Sequence, residues 1–570
     1  VKVLGISCHY HDSAAALIVD GVPVAMAQEE RFSRIKHDAG FPSRAIDFVM
    51  KGKSPTSPDY VVFYEKPFLK FERFIRSAVS FFPGSYGQFR EGMARYLKEK
   101  LWIKAEIKQK LQVRDDQVLF VPHHYSHAAS AFFCSPFRES AILTVDGAGE
   151  WTTTAIGRGL ENRIELLKEI RYPHSLGLLY STFTAFLGFR VNDGEYKVMG
   201  LAPYGKPVYV DDVLRLIDIR EDGSFRLNLK YFSFHTSLTT PYSRAFPDLF
   251  GEPRRPDRDG TFDQRHADIA ASIQQVTEDV LLKLARTSRE LSGSKNLSFA
   301  GGVALNSVAN FKLMKEAGFD HIFIQPAAGD AGGAPGAALY VYNHVMKNER
   351  RFVMDHAYYG PGYTDADTGA FLAAEKILHT RYGDDELLRV VARKIADGEV
   401  VGFFQGRSEW GPRALGNRSI LADARRPEMA KRINETIKFR EPFRPFAPSV
   451  LDGDAPALFD IPPGESPARF MQLVCPVRET VRKENLLPAI THVDGTARPH
   501  IVFKKTSERY YRLLQEFKTI TGIGCVLNTS FNLSGEPVVE SPADAYRTFC
   551  GSGMDLLVLN NYVVENNGKH

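Results

Sequence analysis

The chain opens with a short apolar run at residues 3–6, and two more follow at 15–19 and 22–27. Between the second and third stands Asp20-Gly21, a tight-hairpin dipeptide, so the first forty residues predict a strand, a turn and two further strands. Residues 141–145 form another apolar run that ends in Asp146-Gly147. Residues 297–300 run straight into Gly301-Gly302, and residues 321–324 lead into a Gly/Ala-rich stretch. Apolar strands that end in Gly or Asp and feed helices predict an α/β sheet with ligand loops at its strand ends. Beyond Tyr358-Tyr359-Gly360-Pro361-Gly362 the composition shifts as at a linker. After it, residues 387–395 are amphipathic at helical spacing, Asp397-Gly398 turns, and 400–404 predicts a strand that opens a second α/β domain.

Residues 66–110 break the pattern, with 11 Lys/Arg against 4 Asp/Glu and aromatics interleaved, Phe68, Phe74, Phe82, Tyr96 and Trp102 among them. Helical periodicity explains most of these as the inner stripe of an inserted hairpin with a solvated basic face. The other reading is a docking face for an anionic or amphipathic partner.

Composition narrows the class. The 570 residues suggest two to four domains, and 44% hydrophobic with 25% charged residues exclude disorder as the main theme. A net charge of +4 does not by itself indicate a nucleic-acid binder. Five scattered cysteines without a CxxC argue against a disulfide scaffold and a Cys-rich zinc site. No apolar run approaches the ~18–20 residues of a membrane span and no signal-peptide cleavage pattern appears, so the cytoplasm is the expected location.

Four clusters carry chemistry. His123 and His127 stand four apart in a stretch that favours helix, so both imidazoles project from one face and can bite one metal. Asp146 and Asp330 each emerge in Gly-rich turns; with the histidines they make a His₂Asp₂ set suited to Fe²⁺, Mn²⁺ or Zn²⁺, and singly each reads as a turn or cap residue. Gly301-Gly302, with Asn306 after them, allow close backbone approach to a phosphate or ribose, or make a tight strand–helix turn. His11, beside His9 and Asp12, can take a proton from a hydroxyl, and Lys36 can meet phosphate charge; a hydrogen-bonded loop and a surface turn are the alternatives. The fourth cluster is the strongest: Arg413 in a Gly/Pro-rich loop, then Lys438, Arg440, Arg444, Arg498, Asn528 and Ser530. Arginines held in rigid Gly/Pro loops present fixed forks to phosphate or carboxylate.

Together the segments HHYSHAASA (123–131), TVDGAGE (144–150), YKVMGLAPYG (196–205), GGVALN (301–306), GRSEWGPRALGNRS (406–419), FRPFAPS (443–449) and NTSFN (528–532) resemble the NodU/CmcH-type O-carbamoyltransferases over essentially the whole chain. The resemblance implies a TsaD-like N-terminal domain with a duplicated, ribonuclease-H-like ASKHA fold at 1–355, including the 66–110 insertion. A linker at 356–384 and a YrdC-like α/β domain at 385–570 would follow. It further implies that the C-terminal domain makes carbamoyl-AMP from carbamoyl phosphate and ATP, with Mg²⁺, at Arg413, Lys438, Arg444, Arg498, Asn528 and Ser530. The carbamoyl group would then pass to a hydroxyl of a small-molecule acceptor, a sugar, antibiotic or other natural product. Iron is the metal implied at His123, His127, Asp146 and Asp330; His11 and Lys36 match functional positions of the transfer domain, and Gly301, Gly302 and Asn306 match its nucleotide loop. His9 departs from the acidic residue found in a tobramycin-modifying relative. Carbamoylation of a protein, as in hydrogenase maturation, is disfavoured by the missing CxxC modules. The competing reading from another class is a nucleotide-binding tRNA-modification or regulatory component without O-carbamoyl transfer. No nucleic-acid partner is expected for the main reading, and the oligomeric state is open, a homodimer included.

Overall fold

The three apolar runs at the head of the chain form strands β1 (Lys2–Ser7), β2 (Ala14–Val19) and β3 (Val22–Gln28), and β4 (Tyr60–Phe63) and β5 (Val118–Phe120) complete their sheet. In this computed structural model, which describes residues 1–52, 57–98, 100–256, 262–461 and 467–566, the sheet order is β3-β2-β1-β4-β5. Strand β1 runs antiparallel to β2 and parallel to β4, and β4 is parallel to β5. A second sheet takes β6 (Glu139–Val145), β7 (Thr152–Leu160) and β8 (Arg163–Arg171). After a two-stranded ribbon of β9 (Ile217–Ile219) and β10 (Phe225–Leu227), it is completed by β11 (Asn296–Ala300) and β12 (His321–Ile324). Its order is β12-β11-β6-β7-β8, with β6/β7 and β7/β8 antiparallel and β6/β11 and β11/β12 parallel. Each sheet thus runs third, second, first, fourth, fifth strand with the same directions, an internal duplication of the ribonuclease-H-like kind. Strands such as β1 and β6 lie buried along nearly their whole length, which is why they read as apolar runs rather than alternating ones.

The chain divides into two compact units, one of Val1–Met26 with Ala39–Met354 and one of Ala27–Asp38 with Asp355–His570. In the first unit the basic-aromatic segment is helical, with helices Pro67–Ser80, Tyr86–Lys98 and Ile103–Leu111. Phe74 stacks on Phe89 and Tyr96, and Phe71 meets Tyr96, so these aromatics are the core of the hairpin, while Phe68, Phe82, Tyr86 and Trp102 are exposed.

In the second unit one mixed sheet joins β13 (Thr380–Arg381), β14 (Val401–Phe404), β15 (Arg418–Ala422) and β16 (Ala447–Leu451) to further strands. A small ribbon of β17 (Cys475–Pro476) and β18 (Thr496–Ala497) stands apart. The sheet continues with β19 (His500–Val502), β20 (Cys525–Ser530), β21 (Leu556–Leu559) and β22 (Tyr562–Glu565), in the order β13-β22-β21-β14-β15-β20-β16-β19. Helices Asp384–Ala396 and Glu508–Thr521 bury Leu387, Val391, Leu513 and Phe517 in a core with Val401, Phe403 and Val526. The segment 356–384 carries structure of its own: helix Asp365–Ala374, whose Thr364 hydroxyl caps the Asp367 N–H, and edge strand β13.

Residues 27–38, between two pieces of the first unit, fold with the second. Arg31 is buried and donates to Gly411 O at 2.8 Å. Arg34 donates to Val538 O at 2.7 Å and Pro537 O at 2.8 Å.

Candidate functional site

Helix His123–Phe132 begins right after Pro122, and the four-residue spacing of its histidines turns both rings to one side. There they meet Asp146, at the end of β6, and Asp330, in the turn that precedes helix Gly333–Leu339. All four residues are buried, and one ligand atom from each falls within 4.8 Å of the others. His123 Nε2 lies 3.1 Å from Asp146 Oδ2 and 3.7 Å from Asp330 Oδ1, and His127 Nε2 lies 3.8 and 3.6 Å from the same two atoms. The two Nε2 atoms are 3.0 Å apart, a contact that needs either a proton between them or a cation that both can ligate.

The electrostatics point the same way. Burial alone would lower the His127 pKa, but the Asp146 and Asp330 carboxylates outweigh it and push it up to about 9. Burial would raise Asp146 and Asp330; the histidines hold Asp146 well below the usual carboxylate range, and His11 with the same histidines lowers Asp330. Two buried carboxylates are thus demanding positive charge. Two imidazole nitrogens with two carboxylate oxygens are a donor set that fits a divalent transition ion, so the residues present suit the expected metal.

His11 stands at the edge of this cluster. Its Nδ1 pairs with Asp12 Oδ2 at 2.9 Å, and its Nε2 is 3.9 Å from Asp330 Oδ2. Burial opposes protonation here too, yet Asp330 and Asp12 push His11 up to about 9. The loop around it is held in an unusual backbone conformation, His9 at φ 69° and Asp12 at φ 52°. His9 Nε2 is tied to Glu106 Oε2 at 3.0 Å, on helix Ile103–Leu111 of the basic-aromatic segment.

Gly301 and Gly302 reach the same cluster. Gly301 has φ +96°, and a Cβ there would meet Val145 O at 2.2 Å; the Gly302 N–H donates to Asp146 Oδ1 at 2.8 Å. Asn306 caps helix Ser307–Glu316 by accepting from the Ala309 N–H at 3.1 Å, and exchanges hydrogen bonds with Gln274. The loop is a tight strand–helix turn whose Gly302 N–H is taken by Asp146.

The cationic residues gather in the second unit. Lys438 is buried, and its Nζ donates to Ser530 O at 2.5 Å, Asn532 O at 3.0 Å and Asn532 Oδ1 at 2.9 Å. Its pKa is held well below the ordinary lysine value by burial and then by Arg440, Arg444 and Lys36. Arg498 is likewise held down by burial and then by Arg413, Arg440 and Arg444. Asn528, on β20, donates to Ala414 O and Ser449 Oγ, which fixes it beside the loop of Arg413, while its buried Oδ1 has no hydrogen-bond partner among the described residues. Lys36 lies in residues 27–38, which fold with the second unit, and adds to the cations around Lys438.

Several residues of these sites were not singled out from the sequence, although Glu150, Glu409 and Arg418 lie inside segments that carry the resemblance. Glu409 accepts from the backbone N–H groups of Leu415, Asn417 and Arg418, and so shapes the loop that carries Arg413. Arg418, fully buried, donates to Gln405 O and Asn417 O and lies 3.7 Å from Glu540. Glu540 is buried, and burial, opposed by Arg418, Arg31 and a Ser408 hydrogen bond, pushes this carboxyl up to about 7. Glu150, four residues beyond Asp146, accepts from the His123 and Lys66 N–H groups.

Comparison with known proteins matches residues 2–339 to the Carbamoyltransferase N-terminus family and residues 392–566 to the Carbamoyltransferase C-terminus family. An uncharacterized protein of Synechocystis sp. is 48% identical, over 99% of this chain and 96% of its own length. Nodulation protein NolNO of Sinorhizobium fredii is 38% identical, over 97% of this chain and 79% of its own length. Nodulation protein NolO of Bradyrhizobium diazoefficiens is 40% identical, over 78% of each.

Proposed function

The chain belongs to the carbamoyltransferase family, as an enzyme with both its N- and C-terminal domains, and on that premise we propose that it is an ATP-dependent O-carbamoyltransferase. In the YrdC-like C-terminal domain, water releases phosphate from carbamoyl phosphate, and the resulting carbamate oxygen attacks the α-phosphorus of ATP. Pyrophosphate leaves and carbamoyl-AMP remains. In the N-terminal domain a hydroxyl of a small-molecule acceptor attacks the carbamoyl carbon, the bond to the AMP oxygen breaks, and AMP departs.

The observation that carries this reading is the cationic group of the second unit, where Lys438 and Arg498 are depressed by other cations as well as by burial. A ligand with several negative charges relieves that repulsion, and ATP with carbamoyl phosphate is such a ligand set. Lys438 braces residues 530 and 532, and Arg444, 3.5 Å from Glu441 Oε2, would turn its guanidinium to phosphate oxygens. At the other site, a divalent ion held by His123, His127, Asp146 and Asp330, iron before manganese or zinc, would act as a Lewis acid on the adenylate or bind its phosphate. His11, oriented by Asp12 through Nδ1, receives the hydroxyl proton at Nε2 once that nitrogen is free of its own. Gly301 and Gly302, lacking side chains, let the nucleotide come close to their backbone.

The test is incubation of the protein with labelled carbamoyl phosphate and ATP. Pyrophosphate and a carbamoyl-AMP adduct that need both substrates are expected, and transfer follows on adding a hydroxyl acceptor. Neither product forming would refute the reading.

A further inference from the structure

We propose that Glu150 is a positioning residue for His123, and through it for the metal centre assigned above, on whose reading this inference rests. A ligating histidine is ordinarily oriented by a hydrogen bond at its outer ring nitrogen. Here the outer nitrogens, Nδ1 of His123 and of His127, are buried and have no hydrogen-bond partner among the described residues. For His123 the orienting contacts come from the backbone side. It is the first residue of helix His123–Phe132, and Pro122 before it supplies no side-chain cap, so its N–H would be an orphan. The Glu150 carboxylate takes that N–H on both oxygens, at 3.1 Å each, and puts an anion against the helix N-terminus.

The neighbouring residue closes the other side. A Cβ at Gly149 would stand 3.0 Å from both Cβ and Cδ2 of His123, so only glycine lets this loop press against the ring. Loop 146–150 therefore carries a proposed ligand at one end, Asp146, and the brace for another at its other end. Glu150 Oε1 also accepts the Lys66 N–H at 2.7 Å, just before helix Pro67–Ser80, and Arg73 of that helix donates to Gly149 O at 2.7 Å. The brace is thus anchored to the basic-aromatic helices as well as to the helix it holds.

The experiment titrates metal-free full-length protein with Co²⁺ alone and follows the visible ligand-field absorption. Glu150→Ala is expected to weaken binding by about 10- to 100-fold, the range for loss of an orienting partner, and to alter the absorption spectrum. Glu150→Gln, whose amide oxygen still accepts the His123 N–H, recovers part of the affinity. In a His123→Ala background the same Glu150→Ala change costs less than about twofold, because the ring it acts through is gone. Wild-type affinity and spectrum in both Glu150 variants, or an undiminished loss in the His123→Ala background, overturn the positioning role. Failure of the wild-type chain to bind Co²⁺ overturns the metal reading itself. If Glu150→Ala does not fold, Glu150→Gln decides the question by the same criteria.

Discussion

Glu540 should make the second unit less stable as pH rises, and Glu540→Gln should abolish that dependence. The carboxyl is buried, and burial, only partly offset by Arg418, Arg31 and Ser408, pushes it from its ordinary 4.5 up to about 7. The gap corresponds to about 3 kcal/mol between its protonation states. Below its unfolded pKa both folded and unfolded chains carry the proton and no penalty exists. As pH climbs toward the folded value the unfolded chain ionises freely while the folded one resists, so stability drains away until both are ionised. Glutamine imitates the protonated form throughout, and Arg418 keeps its carbonyl partners Gln405 and Asn417 in the variant. Hydrogen exchange of the β14 and β15 amides against urea, from about pH 5 to about pH 8, reads the opening energy of this region. The variant should gain on the wild type by about 2–3 kcal/mol across that range. A constant difference, or a wild type that gains with pH, would refute the reasoning.

Other perturbations separate the two sites. His127→Ala should remove Co²⁺ binding and lower carbamoyl transfer at least about 100-fold, while pyrophosphate release in the C-terminal domain continues. Arg444→Ala should do the opposite, cutting pyrophosphate release by about 100-fold or more with Co²⁺ binding intact, and lysine at this position should restore little. Gly301→Ala forces a β-carbon into Val145 O at a positive φ and should cost at least about 2 kcal/mol, seen as a lowered melting temperature.

The parts of the fold that sequence made legible are those whose pattern is local. β2 and β14 are continuous apolar runs, and β1, β6 and β11 hold largely apolar stretches, because their faces are buried, and Asp20-Gly21 announces the first hairpin. The duplication was expected from family resemblance and is visible in the strand order; the periodicity alone would not have yielded it. Among chemical groups, His123 and His127 were legible from their spacing, and Asp146 from the strand that ends at it. Glu150 was not, because its partner is a backbone amide 27 residues away that no residue-type pattern marks. Arg31, Arg34 and Glu540 stayed hidden for a related reason: their environments are assembled by tertiary packing across hundreds of residues, and in sequence an arginine near a turn looks like any solvated one.

The route of residues 27–38 bears on how the protein comes into being. Arg31 and Arg34 find their carbonyl partners 380 and 504 residues further along the chain. At a synthesis rate of roughly 5–20 residues per second, Arg34 waits roughly half a minute to two minutes for Val538 to be made. Until then this stretch hangs from a nascent N-terminal region with its hydrogen-bond partners still untranslated. A gene split at the apparent boundary near residue 355 would leave it on the N-terminal fragment, and the second unit would be made without it.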